Sequence, residues 1–533
     1  MTESISNTPR SRPRAYLVGG GIAALASAAY LIRDGGFAGQ DIQILEETTR
    51  PGGSLDGTGD GDEGYVIRGG RMFTYEAYTC TFDLLSFIPS LGNPGNSVKD
   101  EIIRFNNEHV SHSRARLVAQ GQRLDASDLK LSNRDRLDLI EIMTRTESSL
   151  GIQRIEEVFE PTFFTSNFWF MWSTTFAFQP WHSAVEMKRY LQRFIQELPR
   201  IHTLAGVRRT PFNQYDSIVR PLVQWLEAQG VQMVTGARVV DLDFRYGPRG
   251  KAAETIHYVE EGARRQLPIR DEDLVFITNG SMTAASSFGS MTSPARLEGV
   301  DRGPSWTLWE TLAAKNADFG HPEVFTRNID ESKWLSFTVT LDNPVFFDLM
   351  EAFTGNTAGT GGLVTLVDSS WLMSIVLAHQ PHFLDQPEGI QVFWGYGLFV
   401  DQEGDFVKKK MSDCTGEELL IELLGHLGFM AQKTEVLAAA NCIPCMMPYI
   451  TSQFMPRAKG DRPEIRPVGT VNLAFIGQYC EMPDDVVFTV EYSVRSAQIS
   501  VYSLLGLEKA VSPLYKGQTD PLVVFAAAKA LVR

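Results

Sequence analysis

Residues 15–36, AYLVGGGIAALASAAYLIRDGG, carry the strongest structural signal in the sequence. Residues 15–18 are apolar and predict a short strand, and the glycines that follow open an alanine-rich helix. In such a turn Gly19 permits the tight bend, and Gly21 lets the backbone approach a pyrophosphate at the helix N-terminus. Ala24 is small enough for the helix to pack closely on the strand. The pattern predicts a Rossmann-type dinucleotide site.

An acidic residue follows the second predicted strand. This strand spans residues 41–45 and ends at Glu46, where a carboxylate can accept hydrogen bonds from the ribose hydroxyls of an adenosine. Because the same carboxylate would repel a 2′-phosphate, the expected nucleotide carries none.

Two glycine pairs, Gly52-Gly53 and Gly69-Gly70, lie beyond this acid, and nicotinamide dehydrogenases need neither of them. The series of glycine turn, acid and two glycine pairs is similar to the flavoprotein superfamily that includes amine oxidases and phytoene desaturases. That resemblance implies FAD as the cofactor, with the later glycines close to its diphosphate and ring. The neighbouring side chains Ser54 and Arg68 are assigned to the same site.

Later parts of the chain return to the nucleotide site. An apolar strand over residues 473–476 leads to Gly477, and a helix begins around Phe488 and Thr489. Another apolar strand, over residues 274–278, runs into Asn279. Flavoproteins commonly close the FAD site with a late strand–glycine–helix element, so these residues are predicted to contact the cofactor.

The nucleotide-binding signals lie at both ends of the chain, which predicts an α/β protein with a discontinuous, Rossmann-type FAD-binding domain. An α+β substrate domain is inserted, and the chain closes with a helical C-terminal segment. The predicted FAD-binding domain comprises residues 14–82, 205–300 and 465–506, the substrate-binding and helical domains comprise residues 83–204 and 301–464, and the C-terminal segment comprises residues 507–533.

Composition excludes several classes of protein. The 533 residues carry a net charge of −15 without a dense basic cluster, which argues against a nucleic-acid partner. The first residues lack the apolar core of a secretory signal, and no run of eighteen apolar residues appears. Five cysteines form no disulfide framework, which is typical of a reducing cytoplasm. The lone pair Cys442 and Cys445 favours a structural role, and no metal site is predicted.

An unusually aromatic stretch runs from Phe159 to Trp181 and could wall an apolar cavity or form ordinary core. A helix follows it. Ser183 and Glu186 form a capping box, and an apolar face continues to Leu198 before Pro199. Tyr190 lies on this face, and the spacing of the apolar residues alone favours a tyrosine packed in the core over a functional one.

Several sequence blocks resemble the oleate hydratase family, once called myosin-cross-reactive antigens, and the similarity covers nearly the whole chain. The blocks are GGGIAALA at residues 19–26, RGGR at 68–71, PFNQYDS at 211–217, QPHF at 380–383, MMPY at 446–449 and FTVEYS at 488–493. Several of these blocks are not general flavoprotein features, so the resemblance is specific.

The resemblance implies a reaction and roles for individual residues. Family members add water to a cis double bond of a free fatty acid, usually turning oleate into a 10-hydroxy acid, and hold FAD although the reaction is redox-neutral. Tyr190 is thereby implied as the acid that protonates the alkene carbon. Gln214 and His382 are implied to orient the substrate, with His382 near its carboxylate.

The chain departs from the family pattern at three places. Met72 stands where many members carry a glutamate that activates the water, and a thioether is no useful base. Arg71, backbone carbonyls and the flavin edge are therefore expected to position the water. Val376 and Ala378 replace a threonine and an asparagine, which removes two hydrogen-bonding groups from the carboxylate end. The first strand also begins early, without the N-terminal segment that helps many relatives to dimerise, so a monomer is expected.

Two other functions fit the flavin site. One is a flavin oxidoreductase or double-bond isomerase acting on a lipid, and the other is a fatty-acid-binding flavoprotein without catalysis, which Met72 makes plausible. The apolar tail, residues 521–533, predicts a docked terminal helix, with contact to a membrane surface as the alternative.

Overall fold

The structure, a computed structural model, describes residues 12–70, 72–297 and 302–532. It contains a five-stranded parallel sheet whose strands come from widely separated parts of the chain. In spatial order the strands are Leu473–Ile476, Leu274–Thr278, Ala15–Val18, Ile42–Glu46 and Gln232–Thr235. This sheet confirms the predicted α/β class and Rossmann-type architecture, and four of its five strands match predicted strands to within one residue.

Two long helices pack against the parallel sheet and against each other, namely Ile22–Arg33 and Val490–Leu505. The first is rich in alanine, so its surface is flat and its backbone can lie close to the strands. Between the two helices the Tyr30 and Tyr502 rings meet edge to face, with centroids 6.4 Å apart. The helix predicted after Thr489 therefore exists, and the Thr489 side chain caps it by accepting the Tyr492 N–H at 3.1 Å.

A second sheet of eight strands forms the other half of the molecule. Its pairs are antiparallel except for the contact between Leu363–Leu366 and Leu117–Ala119. In spatial order its strands are Ser287–Phe288, Ala440–Met447, Trp334–Leu341, Gln391–Gly397, Met373–Leu377, Leu363–Leu366, Leu117–Ala119 and Gln122–Arg123. Most of these strands come from the segments assigned to substrate binding, and the exact domain boundaries stay a prediction.

A short hairpin packs against the large sheet. Its strands are Gly57–Asp60 and Gly64–Ile67, and the second lies against Trp334–Leu341 of the large sheet. The Tyr65 N–H donates to Thr340 Oγ1 at 2.9 Å, and the Ile67 N–H donates to Thr338 Oγ1 at 3.1 Å. The hairpin thereby holds Ile67, and with it the start of the segment 68–70, beside the large sheet.

The remaining elements surround these sheets. A three-stranded antiparallel sheet has the order Ala263–Pro268, Gly250–Glu260 and Ala237–Gly247. The other α-helices before the C-terminal one are Thr79–Leu85, Val98–Glu108, Asn133–Thr144, Glu147–Leu150, Asn167–Phe176, Ala184–Arg193, Arg220–Ala228, Pro304–Lys315, Glu323–Thr326, Ile329–Ser332, Val345–Thr354, Gly416–Leu427 and Lys433–Ala439.

The helix predicted to continue to Leu198 is shorter than expected. The α-helix ends at Arg193, and residues 195–200 form a 3₁₀ turn. Pro199 explains the change, because it lacks an N–H and disfavours the α conformation of the preceding residue. The capping box is also incomplete. Ser183 accepts the Glu186 N–H, but the Glu186 carboxylate pairs with Arg457 and Arg462 instead.

The C-terminal helix, Pro521–Val532, packs one face on the rest of the molecule through Ala527 and Leu531, which are buried. The docked terminal helix predicted from the sequence is present. Its other face leaves Leu522 79% and Phe525 69% exposed, unusual values for large apolar side chains. In the described ranges, every helix is too short or too polar to cross a bilayer.

Candidate active site

The glycine turn at the end of the first strand has the open geometry that a phosphate cradle needs. Gly19 adopts a φ of +91°, which favours glycine, and a Cβ added at Gly21 would meet no atom within 4 Å. Gly53 approaches so closely that a Cβ there would lie 3.1 Å from the Gly21 Cα. The predicted glycines thus form one cradle, and Ala24 is fully buried in the helix behind it.

Glu46 lies beside the cradle, at the end of its strand. One of its carboxylate oxygens accepts the Gly20 N–H at 2.5 Å, and the other accepts the Thr48 N–H at 2.8 Å. Each carboxylate oxygen can accept further bonds, so the acid stays able to bind ribose hydroxyls.

Unsatisfied polar atoms lie on the other side of the cradle. Both side-chain amide atoms of Asn279, and the Thr278 hydroxyl, are buried without a hydrogen-bond partner in the described part of the chain. Thr278 also lies 3.3 Å from the Cβ position of Gly19 and 3.2 Å from that of Gly477. Buried polar groups without partners are costly, and a polar ligand in this cradle would satisfy them. The residues present therefore fit a dinucleotide.

A cavity whose empty volume is about 1220 Å³, space open to solvent included, continues from this region along the eight-stranded sheet. The predicted cofactor residues Ser54, Arg68, Gly69, Gly70 and Phe488 line one part of it. The guanidinium of Arg68 is held by the Asp56 carboxylate at 2.7 Å. The glycine pair Gly69-Gly70 thus lies on the wall of a cavity, and its predicted contact with a flavin stays a prediction.

A second cavity of about 770 Å³ adjoins the first. Gly70, Met72, Thr175 and Phe488 line both, so the two cavities meet there. Most of the other residues on the second wall are apolar, which suits a hydrocarbon chain. Thr489, predicted to bind the cofactor, also lines the second cavity.

Tyr190 lines the second cavity and is 1% exposed. Its hydroxyl donates a hydrogen bond to the Val487 carbonyl at 2.5 Å, and rings of Phe176, Phe178 and Phe454 surround it. The sequence pattern favoured a core tyrosine, and the structure adds that this core position faces a cavity.

Met72 is partly buried where the two cavities meet. Its thioether lies on the same wall as Gly70 and offers no basic atom. Arg71, the other residue predicted to act on water, lies outside the described residues.

The residues predicted for the substrate carboxylate gather in the first cavity. Gln214, Val376, Ala378 and His382 all line it. The Gln214 side-chain nitrogen is buried without a partner among described residues. The Asn213 N–H donates to the His382 carbonyl at 2.7 Å, which joins the two segments. Burial, with a smaller effect from nearby His379, lowers the pKa of His382 to about 4, so its imidazole is neutral at pH 7.

Sequence reasoning missed other residues of this wall, notably Arg209, His379, Trp334 and Trp394. Arg209 and His379 each stand within three residues of a block that was recognised, and this closeness was the only available signal. The two tryptophans come from strands of the large sheet that were not predicted.

The aromatic stretch serves mainly as core. Phe163, Phe168, Trp169, Trp172 and Phe178 are buried. Among the ten Phe and Trp residues of that stretch, Phe176 alone lines either of the two cavities described here. The stretch therefore combines both interpretations, as a packed core with one edge on the cavity.

Away from both cavities, His426 is buried among three carboxylates. Its Nε2 lies 3.2 Å from Asp405 and 3.3 Å from Glu422, and its Nδ1 lies 3.3 Å from Asp368. Burial lowers the pKa of His426, but the hydrogen bond to Glu422 and the three negative charges outweigh it and raise the pKa overall. Backbone N–H groups of Asp405, Phe406 and Val407 already donate to Glu422.

The five cysteines are all buried free thiols. Cys442 and Cys445 lie on one strand of the large sheet, and burial raises the pKa of Cys445 to about 12. An unreactive thiol is consistent with the structural role predicted for the pair.

Solved structures share this fold. The TM-score is 0.51 with cyclohexylamine oxidase from Brevibacterium oxydans IH-35A, at 12% identity over 93% of this chain and 99% of that one. It is 0.50 with an oxidoreductase from Methanosarcina mazei, at 12% identity over 93% of this chain and 100% of that one. At such identities the similarity establishes the fold alone.

Sequence comparison gives closer matches. The model of the MCRA family matches residues 12–502. The chain is 42% identical over 517 residues to the oleate hydratase of Streptococcus pyogenes serotype M49 (strain NZ131), covering 95% of this chain and 87% of that protein. It is 33% identical over 561 residues to the linoleate hydratase of Lactiplantibacillus plantarum, covering 97% of this chain and 98% of that protein.

Proposed function

Because the chain belongs to the MCRA family, as its motifs predicted, we propose that it adds water across the cis-9 double bond of free unsaturated fatty acids, turning oleate into 10-hydroxystearate. The observation that carries this proposal is the pair of adjoining cavities. One contains polar groups that suit a carboxylate, and the other is largely apolar and contains a buried phenol.

FAD is the proposed cofactor. Gly19, Gly21 and Gly53 would hold its diphosphate, and Glu46 would bind its ribose. The two unpaired amide atoms of Asn279 would form hydrogen bonds with it. The further residues assigned to it are Ser54, Arg68, Gly69, Gly70, Gly477, Phe488 and Thr489, with Ala24 packing behind the turn. When bound, the flavin supplies a polar, rigid wall beside the substrate and changes no oxidation state overall.

The proton comes from Tyr190 in this proposal. An isolated alkene reacts poorly with water, so a positioned proton donor and a positioned water are both required. The Tyr190 proton bonds to one alkene carbon, and the water oxygen bonds to the other. A proton lost from that water replaces the one that the phenol gave up. The apolar wall of the second cavity fixes the chain so that the double bond lies beside the phenol.

In this proposal no side-chain base activates the water. Met72 cannot accept a proton usefully, so we assign the water to Arg71 and to backbone carbonyls near Gly70. Protonation by Tyr190 then makes the alkene electrophilic enough for a neutral water to add. Gln214 and His382 orient the substrate from the first cavity, beside Val376 and Ala378.

One experiment separates hydration from the alternatives. Purified protein loaded with FAD is incubated with oleate in oxygen-18 water, and the product is analysed by mass spectrometry. Hydration predicts a hydroxy acid that carries one heavy oxygen, with no net change in the flavin spectrum under anaerobic conditions. Bleaching of the flavin by the lipid would instead identify an oxidoreductase. Unchanged oleate after prolonged incubation would identify a binding protein.

Two features of the molecule as a whole complete the proposal. We propose that the exposed apolar face of helix Pro521–Val532 touches a lipid surface, which would supply the poorly soluble substrate. We also propose that the protein works as a monomer in the cytoplasm. Light scattering during gel filtration tests the oligomeric state directly.

A further inference from the structure

Arg209 has an unusual environment in the first cavity. Its Nη1 donates to the Gly359 carbonyl, and its Nη2 is buried without a hydrogen-bond partner among the described residues. Burial lowers the pKa of Arg209 to about 10, which still leaves the guanidinium positively charged at neutral pH. A buried cation with an unused donor is costly unless an anion accompanies it.

The described parts of the chain supply no such anion. Arg209 forms no ion pair with any Asp or Glu in the residues that the structure describes, and burial is what lowers its pKa. One acid, Asp56, lines this cavity, and it is already paired with Arg68. A bound anion would supply the partner that Arg209 lacks.

The groups next to Arg209 suit a carboxylate. Arg209 bonds to Gly359, and a Cβ on Gly359 would lie 2.7 Å from the His379 Cβ, so the histidine is a close neighbour. His379 and His382 line the same cavity, and burial lowers the pKa of both below the usual value. Both rings are therefore neutral at pH 7, and Arg209 supplies the positive charge at this end.

We infer that the Arg209 guanidinium binds the carboxylate of the fatty acid and makes the site selective for the free acid. This inference rests on the proposed function, because it assumes that a lipid chain occupies the cavities. It also explains how Val376 and Ala378 can stand where other hydrogen-bonding groups are expected. A charge-assisted hydrogen bond from a buried arginine is stronger than those it would replace.

The first test needs no variant. The affinity of the FAD-loaded protein for dodecanoate and for 1-dodecanol is measured by titration calorimetry. These chains lack a double bond, so binding is measured apart from hydration. Loss of a charge-assisted bond predicts roughly tenfold to hundredfold weaker binding of the alcohol. Equal affinity for acid and alcohol would overturn the inference.

Variants then assign the selectivity to one residue. Arg209→Gln is expected to weaken dodecanoate binding by a similar factor and to leave the binding of 1-dodecanol unchanged. Arg209→Lys, which keeps the charge but loses the planar fork, should restore part of the preference. Arg208→Gln is the matched control, because Arg208 stacks over Tyr75 and does not line the cavity. It should retain the full preference.

The outcomes of this experiment differ from those of the hydration experiment. A folded Arg209→Gln protein with undiminished preference for the acid would overturn the inference even if oleate were hydrated. Conversely, acid selectivity that depends on Arg209, combined with unchanged oleate after incubation, would support the inference and refute hydration.

Discussion

Replacing Tyr190 by phenylalanine removes one oxygen and tests the proposed proton donor. The ring would keep its contacts with Phe176 and Phe178, whose centroids lie 5.1 Å and 5.0 Å away. The lost hydrogen bond to the Val487 carbonyl costs about 1–3 kcal/mol of stability, which a protein of this size can tolerate. A general acid typically contributes about 10²–10⁴ to the rate, or roughly 3–5.5 kcal/mol of the barrier. We therefore expect kcat to fall by that factor.

The assay is the initial rate of hydroxy acid formation from oleate by FAD-loaded protein. Tyr30→Phe is the matched control, because Tyr30 is an equally buried phenol that donates to a backbone carbonyl, that of Cys80, outside both cavities. The control should lose a similar amount of stability and keep its rate. Full activity of Tyr190→Phe, with flavin content unchanged, would refute the role of the phenol.

Four further predictions concern other parts of the molecule. His382→Ala should raise the KM for oleate markedly, because the neutral imidazole is a donor on the cavity wall; an unchanged KM would contradict its role. Asn279→Leu should lower the ratio of flavin to protein absorbance after purification without destabilising the apoprotein, since the two amide atoms have no partner in the described protein to lose. Phe525→Ser should reduce cosedimentation with phospholipid vesicles, and undiminished binding would exclude the C-terminal helix as the contact. The raised pKa of His426 contributes stability that is fully present below its unfolded pKa of about 6.5 and is lost as pH rises through the folded pKa. Denaturant titrations should show this loss in the natural protein but not in His426→Asn.

The sequence was sufficient to predict the parallel sheet because its signals are local. The glycine turn after Val18 follows an apolar strand and precedes a helix, and this order has few other interpretations. Glu46 was identified in the same way, because an acidic residue at the end of the second strand is a local signal of a dinucleotide site. The late strand Leu473–Ile476 was identified because it is short, fully apolar and followed by Gly477.

The eight-stranded sheet was not predicted, since its order is set by long-range pairing. Strand Trp334–Leu341 is buried along its whole length although apolar and polar residues alternate from Leu335 to Leu341, so its pattern resembles that of a strand with one face in solvent. Its partners, Gln391–Gly397 and Ala440–Met447, lie far along the chain, and periodicity does not reveal such pairs. Helix ends near Pro199 were predicted less accurately, because a proline can follow either an α-helix or a 3₁₀ turn.

The site residues were also predictable only where the signal was local. Gln214 and His382 were assigned to the site because they belong to recognisable blocks, whereas Arg209 precedes its block by two residues and has no pattern of its own. The proposed role of Arg209 depends on the absence of a carboxylate partner among the described residues. Pairing of this kind is a property of the folded chain, and a sequence does not contain it explicitly.

The discontinuity of the parallel sheet has a consequence for biosynthesis. Strand Leu274–Thr278 lies between Ala15–Val18 and Leu473–Ile476, and the last of these leaves the ribosome long after the other two. Until then, one edge of Leu274–Thr278 presents unpaired N–H and C=O groups, which invite association with other nascent chains. Helix Val490–Leu505, which covers the same region, is made later still. Newly made chains should therefore depend on chaperones until the late strand is in place.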